Sequence, residues 1–193
     1  MGKGRLEAFS DGVLAIIITI MVLELSVPHE PTFDALFALW PVFVSYVLSF
    51  AYVGIYWNNH HHLFQVVHRI DGRVLWANMH LLFWLSLTPV ATAWLGDAGV
   101  HAGPAAAYAV VLFCCGIAYT LLTRALLALH DPDSQIAQAI GHDRKGKLSL
   151  VVYAVAFAFA FVEPWISIAL FVAVSIAWFV PDRRVSRMLE TVG

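Results

Sequence analysis

Apolar residues in this chain gather in long stretches separated by short polar punctuation. A helix needs about 20 mostly apolar residues to cross a hydrocarbon layer of roughly 30 Å. Six stretches of that order are predicted as helices, approximately residues 6–25, 35–57, 74–95, 105–129, 148–162 and 165–180. The fifth contains "YAVAFAFAF", whose period of two suggests a strand in a water-soluble protein. In lipid an open strand leaves its backbone groups unbonded, so a helix is predicted there as well. Read that way, Ala154 with Ala158 and Ala156 with Ala160 place small residues four apart, a spacing that lets helices approach closely.

The last two stretches together cover residues 148–180, interrupted only by Glu163 and Pro164, which is long for one helix and short for two. Basic residues decide between these counts. With six crossings, Lys3 and Arg5, Arg69 and Arg73, Arg144, Lys145 and Lys147, and Arg183, Arg184 and Arg187 all fall on one side, as the positive-inside rule requires. The opposite loops, at 28–34, 96–104 and 163–164, contain no Lys or Arg. The expectation is therefore an all-α, polytopic membrane protein. It has six transmembrane helices in a single domain over residues 1–193, with both termini cytoplasmic.

Composition agrees with this reading. The chain is 61% hydrophobic and 12% charged, with a mean hydropathy of +0.78, too apolar for one soluble domain. A net charge of -2 supplies no basic stripe for nucleic acid, so the lipid bilayer is the expected surrounding and nucleic acid is excluded as a partner. The two cysteines, Cys114 and Cys115, are adjacent in an apolar run and form neither a CxxC pair nor a four-ligand zinc site. Lys3 and Arg5 ahead of an apolar run imitate a secretory signal, but Glu7 and Asp11 interrupt it and no small-residue cleavage site follows.

Polar residues inside the stretches carry more information, because a carboxylate at the centre of a membrane helix costs about 2.5–3.5 kcal/mol on insertion scales. Asp11 has two readings, an interfacial anchor beside Arg5, Glu7 and Ser10, or a member of a buried network that fixes the rotation of the first helix. At 100° per residue, Ile20 and Leu23 fall within about 40° of Ile16, with Thr19 about 60° to the side of Ile16 and Asp11 about 140° away. By itself such a stripe describes a lipid-facing or helix-packing surface as well as a passage. The run His60-His61-His62 after Trp57-Asn58-Asn59 invites a metal, but consecutive helical positions diverge and no HExxH accompanies them, so a hydrogen-bonding or interfacial role is favoured. Asn78 and His80 are expected to be satisfied by neighbouring helices. GxSxG, Walker, Rossmann and CxxCH patterns are missing, and so are TVGYG and a voltage-sensing arginine array. The chain is not expected to be an enzyme.

The segment Arg5-Leu6-Glu7-Ala8-Phe9-Ser10-Asp11 resembles the RxxxFSD motif that opens the first helix of the transmembrane-protein-175 potassium channels, whose animal members are lysosomal and endosomal. "ITIMVLEL", "YWNNHHHLF" and "WANMHLLFWLSLTPVATAWL" resemble the prokaryotic branch of that family. The resemblance implies a homotetramer in a prokaryotic cell membrane. Its central pore, lined by the first helix, passes K+ and other monovalent cations and needs no cofactor. Carried over by position, Ile16 is the principal constriction, Ile20 and Leu23 are the next rings, and Thr19 lends a hydroxyl between them. Arg5, Phe9, Ser10 and Asp11 would join a polar network with Asn78 and either His60 or His61. Two other functions are weighed against this one: a proton-coupled transporter with Asp11 and a histidine as relay, and a metalloenzyme built on His60 to His62.

Overall fold

A computed structural model of the chain describes residues 2–67, 69–130 and 143–179. Among these residues the regular structure is helical: α1 (Lys3–Leu23), α2 (Phe33–Ala38), α3 (Trp40–Val66), α4 (Gly72–Leu85), α5 (Thr88–Ala98), α6 (Ala102–Leu127), α7 (Arg144–Phe159) and α8 (Pro164–Phe179). The expected Arg183, Arg184 and Arg187 cluster and the end of the sixth stretch lie outside the described residues.

Two of the expected stretches are divided by proline. The second begins with the single-turn-and-a-half α2, capped by Thr32, and restarts at α3, where Pro41 occupies the first turn. Instead of ending near Trp57, α3 continues through the Asn and His run to Val66, because those polar side chains find partners on and beside the helix. The third is broken at Ser86 and Leu87, since Pro89 has no N–H to offer the preceding turn and α5 must start afresh around it. α5 ends at Gly99, whose φ of 76° is costly for any residue with a Cβ.

Four helical stretches among the described residues are long and apolar enough to cross a membrane: α1, α3, the α4–α5 pair, and α6. α7 and α8 have 16 residues each, about 24 Å of rise, and are joined by a turn at 160–163 in which Glu163 accepts from the Trp165 N–H.

α6 is the hub, packed against α4, α5, α7 and α8, while α1 lies along α3, α4 and α5. One apolar core joins Leu14, Ile17 and Met21 of α1 to Val53, Phe64, Leu81, Leu85 and Leu122. A second joins Tyr52, Leu95, Tyr108, Leu112, Tyr153 and Phe171. Small residues set the closest approaches. Ala156 and Ala160 are fully buried, whereas Ala154 and Ala158 face outward, so one of the two small pairs serves packing. The Ser167 hydroxyl reaches the Ala156 carbonyl at 2.7 Å across α7 and α8. A Cβ at Gly116 would stand 2.8 Å from Leu150, which brings α6 and α7 together.

Candidate functional site

α1 is packed along one side and bare along the rest. Leu6, Ser10, Leu14, Ile17 and Met21 recur at helical spacing and are buried against the bundle. Ile16, Ile20 and Leu23 project away from it, 58%, 41% and 81% exposed. Their stripe lies about 110° around the helix from the packed side. Beside it runs a second exposed strip of small residues, Gly4, Ala8, Gly12, Ala15 and Thr19, and a Cβ on either glycine would meet nothing within 4 Å. The Thr19 hydroxyl donates to the Ile16 carbonyl at 2.9 Å.

A chain of hydrogen bonds fastens the packed side. The Ser10 hydroxyl donates to the Leu6 carbonyl at 2.8 Å and accepts from the Asn78 amide at 2.9 Å. Since that amide nitrogen is spent on Ser10, the Asn78 oxygen takes its 2.8 Å bond from His60 Nε2–H, which fixes the histidine tautomer. Ser10 and Asn78 are fully buried and His60 nearly so, and the imidazole lies against Phe64 with ring centroids 4.5 Å apart. Three helices, α1, α3 and α4, are thereby tied at one point in an apolar core, where an unmade bond costs about 1–3 kcal/mol.

Of the six residues expected in this network, the structure links Ser10, His60 and Asn78. Arg5, Phe9 and Asp11 stand apart from it as exposed residues, because their positions fall about 100° or more around α1 from Ser10. Asp11 accepts instead from the Trp57 indole N–H at 3.0 Å, a second link between α1 and α3. Trp57 in turn is stacked on His61 at 5.8 Å. His61 accepts from the Gln65 amide, and His62 donates to the oxygen of the same side chain. His60, and not His61, therefore reaches Asn78. Asp11 and His60 make no hydrogen bond with each other, as a two-residue relay would require, and among the described residues no three His, Cys, Asp or Glu side chains converge on a metal position. His80 is satisfied within its own helix, by the Trp84 indole at 2.9 Å.

Sequence reasoning missed a polar line on α3. Ser45, Ser49, Tyr52, Tyr56 and Asn59 recur at helical spacing and face the interior of the bundle. Ser49 meets the Tyr108 hydroxyl at 2.8 Å and Thr92 at 2.6 Å, joining α3, α5 and α6. Its signal was the i, i+4, i+7, i+11, i+14 spacing within an otherwise apolar stretch.

Residues 5–89 match the family described as endosomal/lysosomal potassium channel TMEM175. A potassium channel of a Chryseobacterium species is 48% identical over 190 residues, covering 98% of this chain and 99% of its own length. The chain belongs to the TMEM175 family. A potassium channel of Chamaesiphon minutus is 33% identical over 179 residues, 86% of this chain and 87% of that protein. The helical arrangement is similar to the crystal structure of a lysosomal potassium-selective channel TMEM175 homolog from the same organism, with a TM-score of 0.79, 29% identity, and coverage of 92% of this chain and 96% of that one. TMEM175 proteins are channels and not enzymes, and the motif at Arg5 to Asp11 opens the matched region.

Proposed function

We propose that this chain forms a passive potassium-permeable cation channel, in which four copies surround one axis and α1 of each lines the passage. The observation that carries this reading is the outward apolar stripe of Ile16, Ile20 and Leu23 on a helix whose packed side, about a third of a turn away, is hydrogen-bonded into the bundle. A lipid-facing stripe needs no such rotational anchor. The relatives named as potassium channels, matched over nearly the whole chain, support the same assignment.

In the proposed assembly Ile16 forms the narrowest ring, Ile20 and Leu23 form further rings toward the outer end, and Thr19 stands between them. A ring of isoleucines excludes ions when narrow, because a cation there loses hydration that no oxygen replaces, and conduction follows widening and wetting. Potassium surrenders its water more readily than sodium, so the expected preference is for potassium but weak. Glu24, exposed at the end of α1, adds negative charge at the outer mouth. Neighbouring copies meet through the small-residue strip from Gly4 to Thr19, which lets helices approach closely. Ser10, His60 and Asn78, with Asp11 and Trp57 beside them, hold α1 at the angle that turns Ile16 inward, while Arg5 and Phe9 flank its entry. The basic residues support six crossings, with α7 and α8 traversing as a short pair and both termini on the cytoplasmic face of a prokaryotic cell membrane. Potassium is the permeating ion, and the reading needs no cofactor.

The test is potassium flux into proteoliposomes. Ile16→Asn wets the constriction and raises flux severalfold over wild type, and unchanged flux removes Ile16 from the passage.

A further inference from the structure

Away from α1, the bundle holds a small, partly open cavity between α3, α6, α7 and α8. Its walls include four phenol rings, Tyr52, Tyr56, Tyr119 and Tyr153, together with Asn59 and Asp143. Tyr52 sits edge-on to Tyr153 at 6.2 Å and Tyr56 edge-on to Tyr119 at 6.1 Å, so the rings form two crossed pairs. Asp143 is the single formal charge among the lining residues, and it is negative. An interior volume of about 30 Å3 holds roughly two water-sized groups, too little for a choline-sized ligand or a nucleotide to enter whole.

The wall is also left with unused acceptor capacity. Tyr52 donates to the Phe171 carbonyl and its hydroxyl is also engaged with that of Tyr153, while Tyr119 donates to the Asn59 carbonyl, which leaves lone pairs on the Tyr119 oxygen. Among the described residues the Tyr56 hydroxyl makes no hydrogen bond. Asp143 accepts the Gly146 N–H at 2.6 Å through Oδ1, which caps α7 and leaves Oδ2 available. Aromatic faces attract a cation that gives up its water readily, and a carboxylate fixes its position. The same corner already tolerates such a charge, for the Lys145 ammonium lies 6.0 Å over the Trp178 ring of the cavity wall.

We propose that this cavity is a binding site for a small, weakly hydrated monovalent cation, ammonium or potassium, held by the Asp143 carboxylate and the tyrosine faces and separate from the passage along α1. The cation would bridge four helices at the end of the bundle that carries the first turn of α7.

Purified protein in detergent, kept at constant ionic strength with N-methylglucamine chloride, is titrated with ammonium, potassium, sodium or tetramethylammonium chloride while thermal unfolding is followed. Ammonium or potassium raises the midpoint saturably, sodium does so less, and tetramethylammonium, too large for the space, does not. Whichever of the first two saturates at lower concentration is the preferred occupant. Asp143→Asn keeps the helix cap, since asparagine caps as well as aspartate, and it cuts the shift at least fivefold. Tyr56→Phe, which removes one hydroxyl, also reduces it. Ile16→Asn retains the full shift, so failure of the α1 passage and failure of this site are read separately. A shift undiminished in Asp143→Asn and Tyr56→Phe, an equal shift with tetramethylammonium, or no saturable shift overturns the proposal.

Discussion

Asn78 decides how firmly α1 is held, because its amide serves Ser10 on one side and His60 on the other. Asn78→Ala leaves a buried imidazole N–H without an acceptor and takes one donor from the Ser10 hydroxyl, which keeps its bond to the Leu6 carbonyl, and a cost of about 1–3 kcal/mol follows from the usual penalty for one orphaned group. Chemical unfolding of the detergent-solubilised protein measures it, and a loss below about 1 kcal/mol would mean that water or another side chain takes the place of the amide. Asp11→Asn is the contrasting case. Its bond to Trp57 is exposed and survives with an amide oxygen as acceptor, so the same measurement changes by less than about 1 kcal/mol. At this scale the sequence named Ser10, His60 and Asn78 through the resemblance of its motifs to the channel family, and of the three only Asn78 also as a polar residue inside an apolar stretch. It was silent on which carboxylate or histidine would be left outside, since Arg5, Phe9 and Asp11 differ from Ser10 only in their angle around α1.

Among the elements, α1 differs from the interior helices in having two unpartnered strips side by side, one bulky and one small. The small strip is the contact through which copies join in the proposed assembly, and Gly12→Leu places a four-carbon side chain where nothing inside the chain would collide with it. The fold of each chain is expected to survive while the tetramer loses stability, giving a shift toward single chains in native mass spectra; an unaltered tetramer would assign the strip to lipid. Helix positions were legible from apolar run length, but the division of two runs was not foreseen, because Pro41 and Pro89 were read as part of the apolar pattern and not as residues lacking an N–H. The extension of α3 through Asn58 to Val66 was equally hidden, since polarity signals a membrane boundary only when the side chains reach water, and His60 instead turns inward.

For the molecule as a whole, a passive passage and a proton-driven carrier predict different responses to the same gradients. A potassium gradient alone is expected to drive uptake into proteoliposomes, and collapsing a pH gradient leaves that uptake within about twofold. Uptake that requires the pH gradient would favour the carrier. The channel family was legible through the Arg5 to Asp11 motif, and the helical membrane character through the long apolar runs. The tyrosine-lined cavity was not, because its walls come from four helices and only their packing brings Tyr56, Tyr119, Asp143 and Tyr153 together. One side-chain bond to the backbone reaches further than its size suggests. The Thr19 proton is committed to the Ile16 carbonyl, so in the proposed ring the four hydroxyls have only lone pairs to offer. Chloride would find no hydrogen to accept there, and sign discrimination would arise from side chains that carry no net charge.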